Sequence, residues 1–119
     1  MTSPESGALP AELLRVSRTA GVSLAVATQG SDGLVLHAEG DDLTRAPAAA
    51  ALGAALFVRA GAVAGAQGHG NPRLLRLQGG EGQLLAASAG DVIMVVVAGS
   101  EANAGRIRLE LLRAAGALA

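Results

Sequence analysis

The chain has 119 residues, of which 50% are apolar, with a single aromatic residue, Phe57, and no cysteine. A net charge of −1 and a pI of about 6.1 exclude the basic field that holds nucleic acid or an anionic membrane surface. All nine basic residues are arginine, which also excludes Schiff-base chemistry and a phosphate-binding lysine.

The start of the chain predicts a short polar tail followed by a helix. We expect residues 1–7 to be a flexible N-terminus without a signal peptide, and residues 8–119 to form a single domain. The first helix is predicted over residues 9–20, ended by Gly21. Its buried side is expected to consist of Leu13, Val16 and Ala20.

A hairpin and an acidic loop are predicted next. Residues 22–28 and 34–38 have strand patterns, and the Asp32-Gly33 pair between them is typical of a hairpin turn. Residues 39–42 form an acidic loop, after which Thr44 is expected to cap the second helix.

The second helix is predicted from about residue 45 to residue 61 or 64, and it is apolar on two faces. One face carries Leu52, Ala55, Leu56 and Val63; the other carries Ala49, Gly53, Phe57, Ala60 and Ala64. A helix with two apolar faces must cover two neighbours, and its own sheet is only one of them. The run of residues 46–66 is long enough to cross a membrane, but Arg59 lies inside it at a cost of about 2.5–3.5 kcal/mol, so we expect no membrane insertion.

Three strands and a helix are predicted in the second half. Residues 72–78 suit an edge strand, because Pro72 opens it and Arg73 and Arg76 lie along it. Residues 83–89 and 92–98 follow, and the last of these is so uniformly apolar that it must be covered on both faces, as in the centre of a sheet. Ser100 is expected to cap a final amphipathic helix up to residue 118.

These elements predict an α+β domain in the order α-β-β-α-β-β-β-α. Hairpin connections favour a five-stranded, mostly antiparallel sheet with helices on both faces.

Catalytic and metal sites are weakly supported. Glu39, Asp41 and Asp42 lack the regular spacing of a metal loop and are interpreted as a solvated loop. His69 has no positioned nucleophile or carboxylate beside it, and His37 is interpreted as structural or exposed. We therefore expect a non-enzymatic protein without cofactor or metal.

Arg59 has two open interpretations: it pairs with an acidic group across an interface, or it extends to solvent from the helix edge. Arg73 and Arg76 also have two open interpretations: they pair with an acidic group across an interface, or they protect the strand edge from pairing with other chains.

Nearly the whole chain after Ala8 resembles the roadblock-type domain family, which includes the dynein roadblock light chains and the bacterial MglB-like regulators. The residues that carry the resemblance are the Gly-Gly-Glu-Gly turn at 79–82, the strands that follow it, and the helix start Ala-Asn-Ala-Gly-Arg-Ile-Arg-Leu-Glu-Leu at 102–111. The hairpin and the alanine-rich second helix agree with it.

The resemblance implies a sheet with the first and last helices on one face and the second helix on the other. It also implies a cytoplasmic homodimer in which the third strands pair edge to edge and the second helices pack together, and a small Ras-like GTPase as partner. The residues expected at this interface are Leu52, Leu56, Phe57, Arg59, Arg73, Leu75 and Arg76. The alternative is a small-ligand sensory module, or a structural dimerisation module, without a GTPase partner.

Overall fold

The order of helices and strands agrees with the prediction. The computed structural model describes residues 7–118, so the expected flexible tail lies outside the described residues except for Gly7. The helices are α1 (Ala8–Ser17), α2 (Ala46–Ala66) and α3 (Ala104–Leu118). The strands are β1 (Val22–Gln29), β2 (Val35–Gly40), β3 (Leu75–Gln78), β4 (Gly82–Ala89) and β5 (Val92–Gly99).

The strands form one antiparallel sheet in the order β2-β1-β5-β4-β3. The apolar strand β5 is central and pairs with β1 and β4, which confirms the prediction from its composition. The two edges are β2 and β3. Strand β3 is an edge strand as predicted, but it is only 4 residues long, because pairing with β4 begins at Leu75 rather than at Pro72.

Two apolar cores lie on opposite faces of the sheet. Helices α1 and α3 cover one face and α2 covers the other. Strand β5 contributes to both, because successive side chains of a strand point to opposite faces. Its residues Val92, Met94 and Val96 lie in the α1/α3 core, while Ile93 and Val95 lie in the α2 core.

Helix α2 approaches the sheet closely because the residues on its buried side are small. These residues are Ala46, Ala50, Gly53 and Ala54, with Phe57 as the one large side chain. A Cβ atom on Gly53 would lie 2.5 Å from Cγ2 of Val95, which is less than van der Waals contact. Small residues on the buried side of α2 thus give close packing of the helix on the sheet.

Two predicted helix caps were wrong. Helix α3 begins at Ala104, and the Oδ1 atom of Asn103, not Ser100, accepts a hydrogen bond from the backbone N–H of Arg106 at 3.1 Å. Before α2, the chain makes a short 3₁₀ turn over Leu43–Arg45, and Asp42 caps this turn by accepting from the backbone N–H of Thr44. The Thr44 hydroxyl donates to the same carboxylate, and this hydrogen bond, together with the one from the backbone N–H, lowers the pKa of the Asp42 carboxyl.

The first helix is shorter than predicted and ends at Ser17. Residues 18–21 turn the chain toward β1, which leaves Ala20 exposed rather than on the buried side. The helix is held to α3 by Arg15, whose guanidinium lies 2.8 Å from a carboxylate oxygen of Glu110. Arg15 also pairs with Glu12 of its own helix.

Candidate interaction surface

Helix α2 exposes an apolar stripe on the side opposite its core residues. Leu52, Leu56 and Val63 are 63%, 37% and 65% exposed. Their spacing of four and seven residues puts them on one side of an α-helix, together with Arg59. Arg59 is the only charged residue within α2. The prediction that this helix is apolar on two faces is confirmed, and the face with the larger side chains is the uncovered one.

The edge strand β3 extends this apolar surface. Leu75 pairs with Ala86 and Leu77 with Leu84, and these β4 residues face the α2 core. Leu75 and Leu77 therefore lie on the α2 side of the sheet, because paired residues share a face. Leu77 is 53% exposed. We use the term α2–β3 surface for the residues Leu52, Leu56, Arg59, Val63, Leu75 and Leu77.

A groove joins the helix to the sheet within this region. It has a volume of about 410 Å³, and both Leu52 and Leu84 line it. Apolar side chains from β1 and β5 complete its floor, while Asp41, Asp42 and Arg45 stand at its rim. Leu52 of the helix stripe and Leu84 of β4 both line the groove, and Leu84 is the partner of Leu77 in the sheet. The helix stripe and the β3 edge therefore belong to one continuous surface.

The seven predicted interface residues do not all lie on this surface. Leu52, Leu56, Arg59 and Leu75 do. Phe57 is 8% exposed and belongs to the α2 core, so it offers little area to another molecule. Arg76 lies on the opposite face of the sheet, where its guanidinium donates to the side chains of Gln83 and Gln78. Arg73 is exposed and precedes β3.

Two residues of the surface were not predicted as interface residues. Val63 had been assigned to the correct helix face, and Leu77 follows Leu75 by two positions, which in a strand means the same face. The alternation of Leu75, Arg76 and Leu77 therefore contained the signal that separates the leucines from the arginine.

The position of Arg59 agrees with both interpretations, an ion pair across an interface and extension into solvent. Its side chain is exposed, and it makes no hydrogen bond or ion pair with any residue in the range 7–118. It lies between Leu56 and Val63 on the stripe, so a partner that covers those side chains would also contact the guanidinium.

The polar residues considered for catalysis are engaged elsewhere or isolated. The imidazole Nε2 of His37 lies 2.6 Å from the Glu39 carboxylate, while His69 is exposed after the end of α2. Within the described residues there is no group of three or more His, Cys, Asp or Glu side chains placed to hold a metal ion.

By length and composition, Leu43–Ala66 is a stretch of 24 residues that would be able to cross a membrane. Core helices of domains without any membrane contact have the same composition, and here one side of α2 packs on the sheet. Only 22% of the most apolar part of this stretch is buried, however. The unburied share includes the α2 residues of the α2–β3 surface.

Comparison with known proteins agrees with this architecture. Residues 11–98 match the model of the Roadblock/LC7 domain family. Two uncharacterised proteins of Methanocaldococcus jannaschii are each 31% identical over 103 residues, which is 87% of this chain and 90% of theirs.

Two solved structures superpose well on the chain. A Roadblock/LC7 domain from Streptomyces avermitilis has a TM-score of 0.76 and 26% identity, and the match covers 92% of this chain and 91% of that one. MglB from Myxococcus xanthus has a TM-score of 0.84 and 19% identity over 99% of this chain and 90% of its own, a likeness that concerns the fold alone.

Proposed function

Because the chain belongs to the Roadblock/LC7 domain family, we propose that it acts as a non-enzymatic, cytoplasmic homodimeric adaptor that docks a small Ras-like GTPase. The observation that carries this proposal is the α2–β3 surface. A helix of 21 residues with one charge leaves its leucine and valine stripe uncovered, on the same sheet face as a free strand edge. Uncovered apolar surfaces of this kind are typical of protein interfaces.

The homodimer is supported by the way the helix and the edge combine. Two copies related by a two-fold axis would pair their β3 edges and bring their α2 stripes together, so one contact satisfies backbone hydrogen bonds and buries apolar side chains. Fully burying one exposed leucine contributes about 1.5–3 kcal/mol, and three exposed leucines per copy, Leu52, Leu56 and Leu77, lie on the surface. The buried area expected for a stable pair is about 1,600 Å².

Docking of a GTPase is supported by what a dimer would leave on its outside. Helix α2 carries apolar side chains around most of its circumference, so the paired helices would still present a ridge, and helical spacing puts Arg59 at the margin of the stripe, next to this ridge. A buried or partly buried arginine is a frequent anchor at interfaces. The ridge is the docking surface that we assign to the GTPase.

The dimer is tested by introducing a charge into the surface. The Leu52→Glu variant places a carboxylate in the contact, and light scattering after size-exclusion chromatography should show species with fewer copies than the wild type. The matched control is Leu109→Glu, because Leu109 is 51% exposed on α3, on the other side of the sheet. An unchanged mass for Leu52→Glu, or a wild-type chain that is monomeric at micromolar concentration, would contradict the dimer.

The GTPase is tested with the small Ras-like GTPases of the source organism, loaded with GDP or with a non-hydrolysable GTP analogue. Calorimetry should show binding of at least one of them, and Arg59→Glu should weaken it about tenfold, equivalent to about 1.4 kcal/mol, while light scattering shows an unchanged mass for the variant alone. Arg108→Glu is the control, since Arg108 is exposed on α3. If no GTPase binds in either nucleotide state at about 100 μM, the docking role is wrong even where the dimer persists.

A second candidate function follows from the groove between α2 and the sheet. Its volume of about 410 Å³ falls within the range of small-ligand pockets, and its lining is mostly apolar. A ligand-sensing module would show a ligand-dependent rise in melting temperature that Leu52→Glu abolishes, without any effect of a GTPase.

A further inference from the structure

The other edge of the sheet, at β2, carries a second group of exposed apolar side chains. Five of the eleven large apolar residues that are exposed in the described chain lie there: Leu14, Leu34, Val35, Leu36 and Leu43. Leu14 belongs to α1, which lies over β1 and β2. Arg15 of α1 points toward α3, and helical geometry therefore turns Leu14 away from α3, toward the β2 edge.

The backbone of β2 has free hydrogen-bonding groups along this edge. The N–H of Asp41 donates to the carbonyl of Ser23 at 2.9 Å, which fixes the alternation of the ladder between β1 and β2. His37 and Glu39 therefore use their backbone groups toward β1, while those of Ala38 and Gly40 point outward. Between residues 7 and 118, these outward groups have no partner in a turn, loop or cap.

Strand β2 has less edge protection than β3, because its bulge lies near its first residues and leaves the rest of the strand regular. Strand β3 is short, contains Arg76 and is preceded by Pro72 and Arg73, features that restrict which chains can pair with it. Strand β2 has 6 residues and contains neither proline, lysine nor arginine. Its two polar side chains, His37 and Glu39, are engaged with one another. The β2 edge is therefore open to strand addition.

We propose that the β2 edge pairs with the β2 edge of a second copy of this chain, in antiparallel register about Ala38. In this register Ala38 faces Ala38 and Leu36 faces Gly40, and all of these positions have outward backbone groups. His37 then lies opposite Glu39 of the second copy, and Glu39 opposite its His37. These are non-hydrogen-bonded pairs, in which side chains come closest, so each imidazole meets a carboxylate.

The neighbouring registers are less favourable. A two-fold axis at Glu39 would place two carboxylates against each other, and an axis at His37 would place two imidazoles together. An axis between two residues would instead pair positions with outward backbone groups against positions that use theirs toward β1. The bulge at Leu36, where β2 has one residue more than β1, limits regular pairing to residues 36–40.

This contact is independent of the homodimer proposed above, because β2 and β3 are opposite edges of one sheet. If both form, the sheet grows through alternating two-fold contacts, and assemblies of more than two copies result. We choose a second copy as the partner because β2 is complementary to itself when two copies run antiparallel. Each His37 then lies opposite a Glu39.

The first test removes the central hydrogen bond of the pairing. Ala38→Pro deletes an outward N–H that β1 does not use, and Ala38→Val is the control that keeps it. Sedimentation velocity at several concentrations should show the wild type and Ala38→Val as species larger than a dimer, and Ala38→Pro as a dimer. Leu52→Glu should also leave a dimer, formed through β2, and the combination with Ala38→Pro should be monomeric.

The second test uses charge exchange and does not depend on the proline variant folding. His37→Glu places two carboxylates opposite each other twice per contact and should weaken association at least tenfold. The double variant His37→Glu/Glu39→Arg restores opposite charges in the same register and should recover it. Recovery is a result that a general loss of stability would not produce.

The outcomes separate the two contacts. A wild type that is dimeric and becomes monomeric with Ala38→Pro supports the β2 pairing and contradicts the α2–β3 dimer. A wild-type dimer that Ala38→Pro, Ala38→Val and His37→Glu all leave unchanged overturns the β2 pairing and leaves the α2–β3 dimer standing. Loss of association with His37→Glu that the double variant fails to recover overturns the proposed register.

Discussion

At the scale of single residues, Gly53 decides how close α2 lies to the sheet. The missing side chain admits the Val95 side chain, whose Cγ2 and Cγ1 atoms would lie 2.5 and 2.7 Å from an added Cβ. Val95 is fully buried and β-branched, so it has little freedom to move aside. Glycine is less favourable than alanine within a helix by about 1 kcal/mol. In return, its missing side chain allows the close contact between α2 and Val95.

We expect Gly53→Ala to lower the free energy of unfolding by about 1 kcal/mol. The added methyl overpacks the core at a cost of about 1–3 kcal/mol, and the gain in helix propensity offsets about 1 kcal/mol of it. Gly65→Ala is the matched control in the same helix, because nothing lies within 4 Å of its added Cβ. The control should raise stability by about 0.5–1 kcal/mol in urea titrations. Equal stabilisation by both variants would contradict the close fit.

At the scale of elements, the start of α3 offers two capping residues, Ser100 and Asn103, and only Asn103 caps the helix. Ser100 follows β5 directly and is a preferred capping residue, but the chain makes a turn over residues 100–103 before the helix begins. Asn103 then lies three residues before Arg106, whose backbone N–H it accepts. Both residues suit the capping position chemically, so sequence alone does not choose between them.

We expect Asn103→Ala to cost about 1 kcal/mol of stability, the usual loss when a capping side chain is removed. Ser100→Ala should change stability by less than about 0.5 kcal/mol, since the Ser100 hydroxyl makes no hydrogen bond to a described residue. Thermal unfolding of both variants compares them directly. A larger loss for Ser100→Ala would show that the helix begins earlier in solution.

The sequence predicts the strands and the amphipathic helices better than it predicts α2. Periodicity identifies the buried sides of α1 and α3 because polar residues mark the other side. Helix α2 has apolar residues all round, so the pattern reveals two apolar faces without telling which one is buried. The larger leucines would normally face a core, but the sheet requires close approach, and Gly53 and its alanine neighbours face it instead. The predicted interface therefore took residues from both faces, and Phe57 belongs to the buried one.

At the scale of the whole molecule, the two cores are joined through one strand. Residues of β5 alternate between the α1/α3 core and the α2 core, so neither layer of helices keeps its packing if β5 leaves the sheet. The described chain should therefore unfold as one cooperative unit, although α2 and α3 do not share a face of the sheet.

Hydrogen exchange tests this coupling. We expect the backbone amides of β5 to exchange most slowly, at the rate of global unfolding. Gly53→Ala perturbs only the α2 core directly, yet it should accelerate exchange in α3 by about the same factor as in α2, roughly fivefold for 1 kcal/mol. Acceleration confined to α2 would show that the two layers open separately.

Strand β5 has a further consequence, which concerns how its alignment with its neighbours is specified. A strand with one wet face resists slipping by one residue, because the slip would bury polar side chains. From Val92 to Val97 this strand has no polar side chain, so a slip would merely exchange one apolar residue for another. Its alignment must come from its surroundings. The pairing of Ala89 with Val92 leaves only Gly90 and Asp91 in the hairpin loop, and Gly90 has a φ of 61°. That tight turn, together with the fit of Gly53 on Val95, fixes the position of a strand whose own sequence leaves it free to slide.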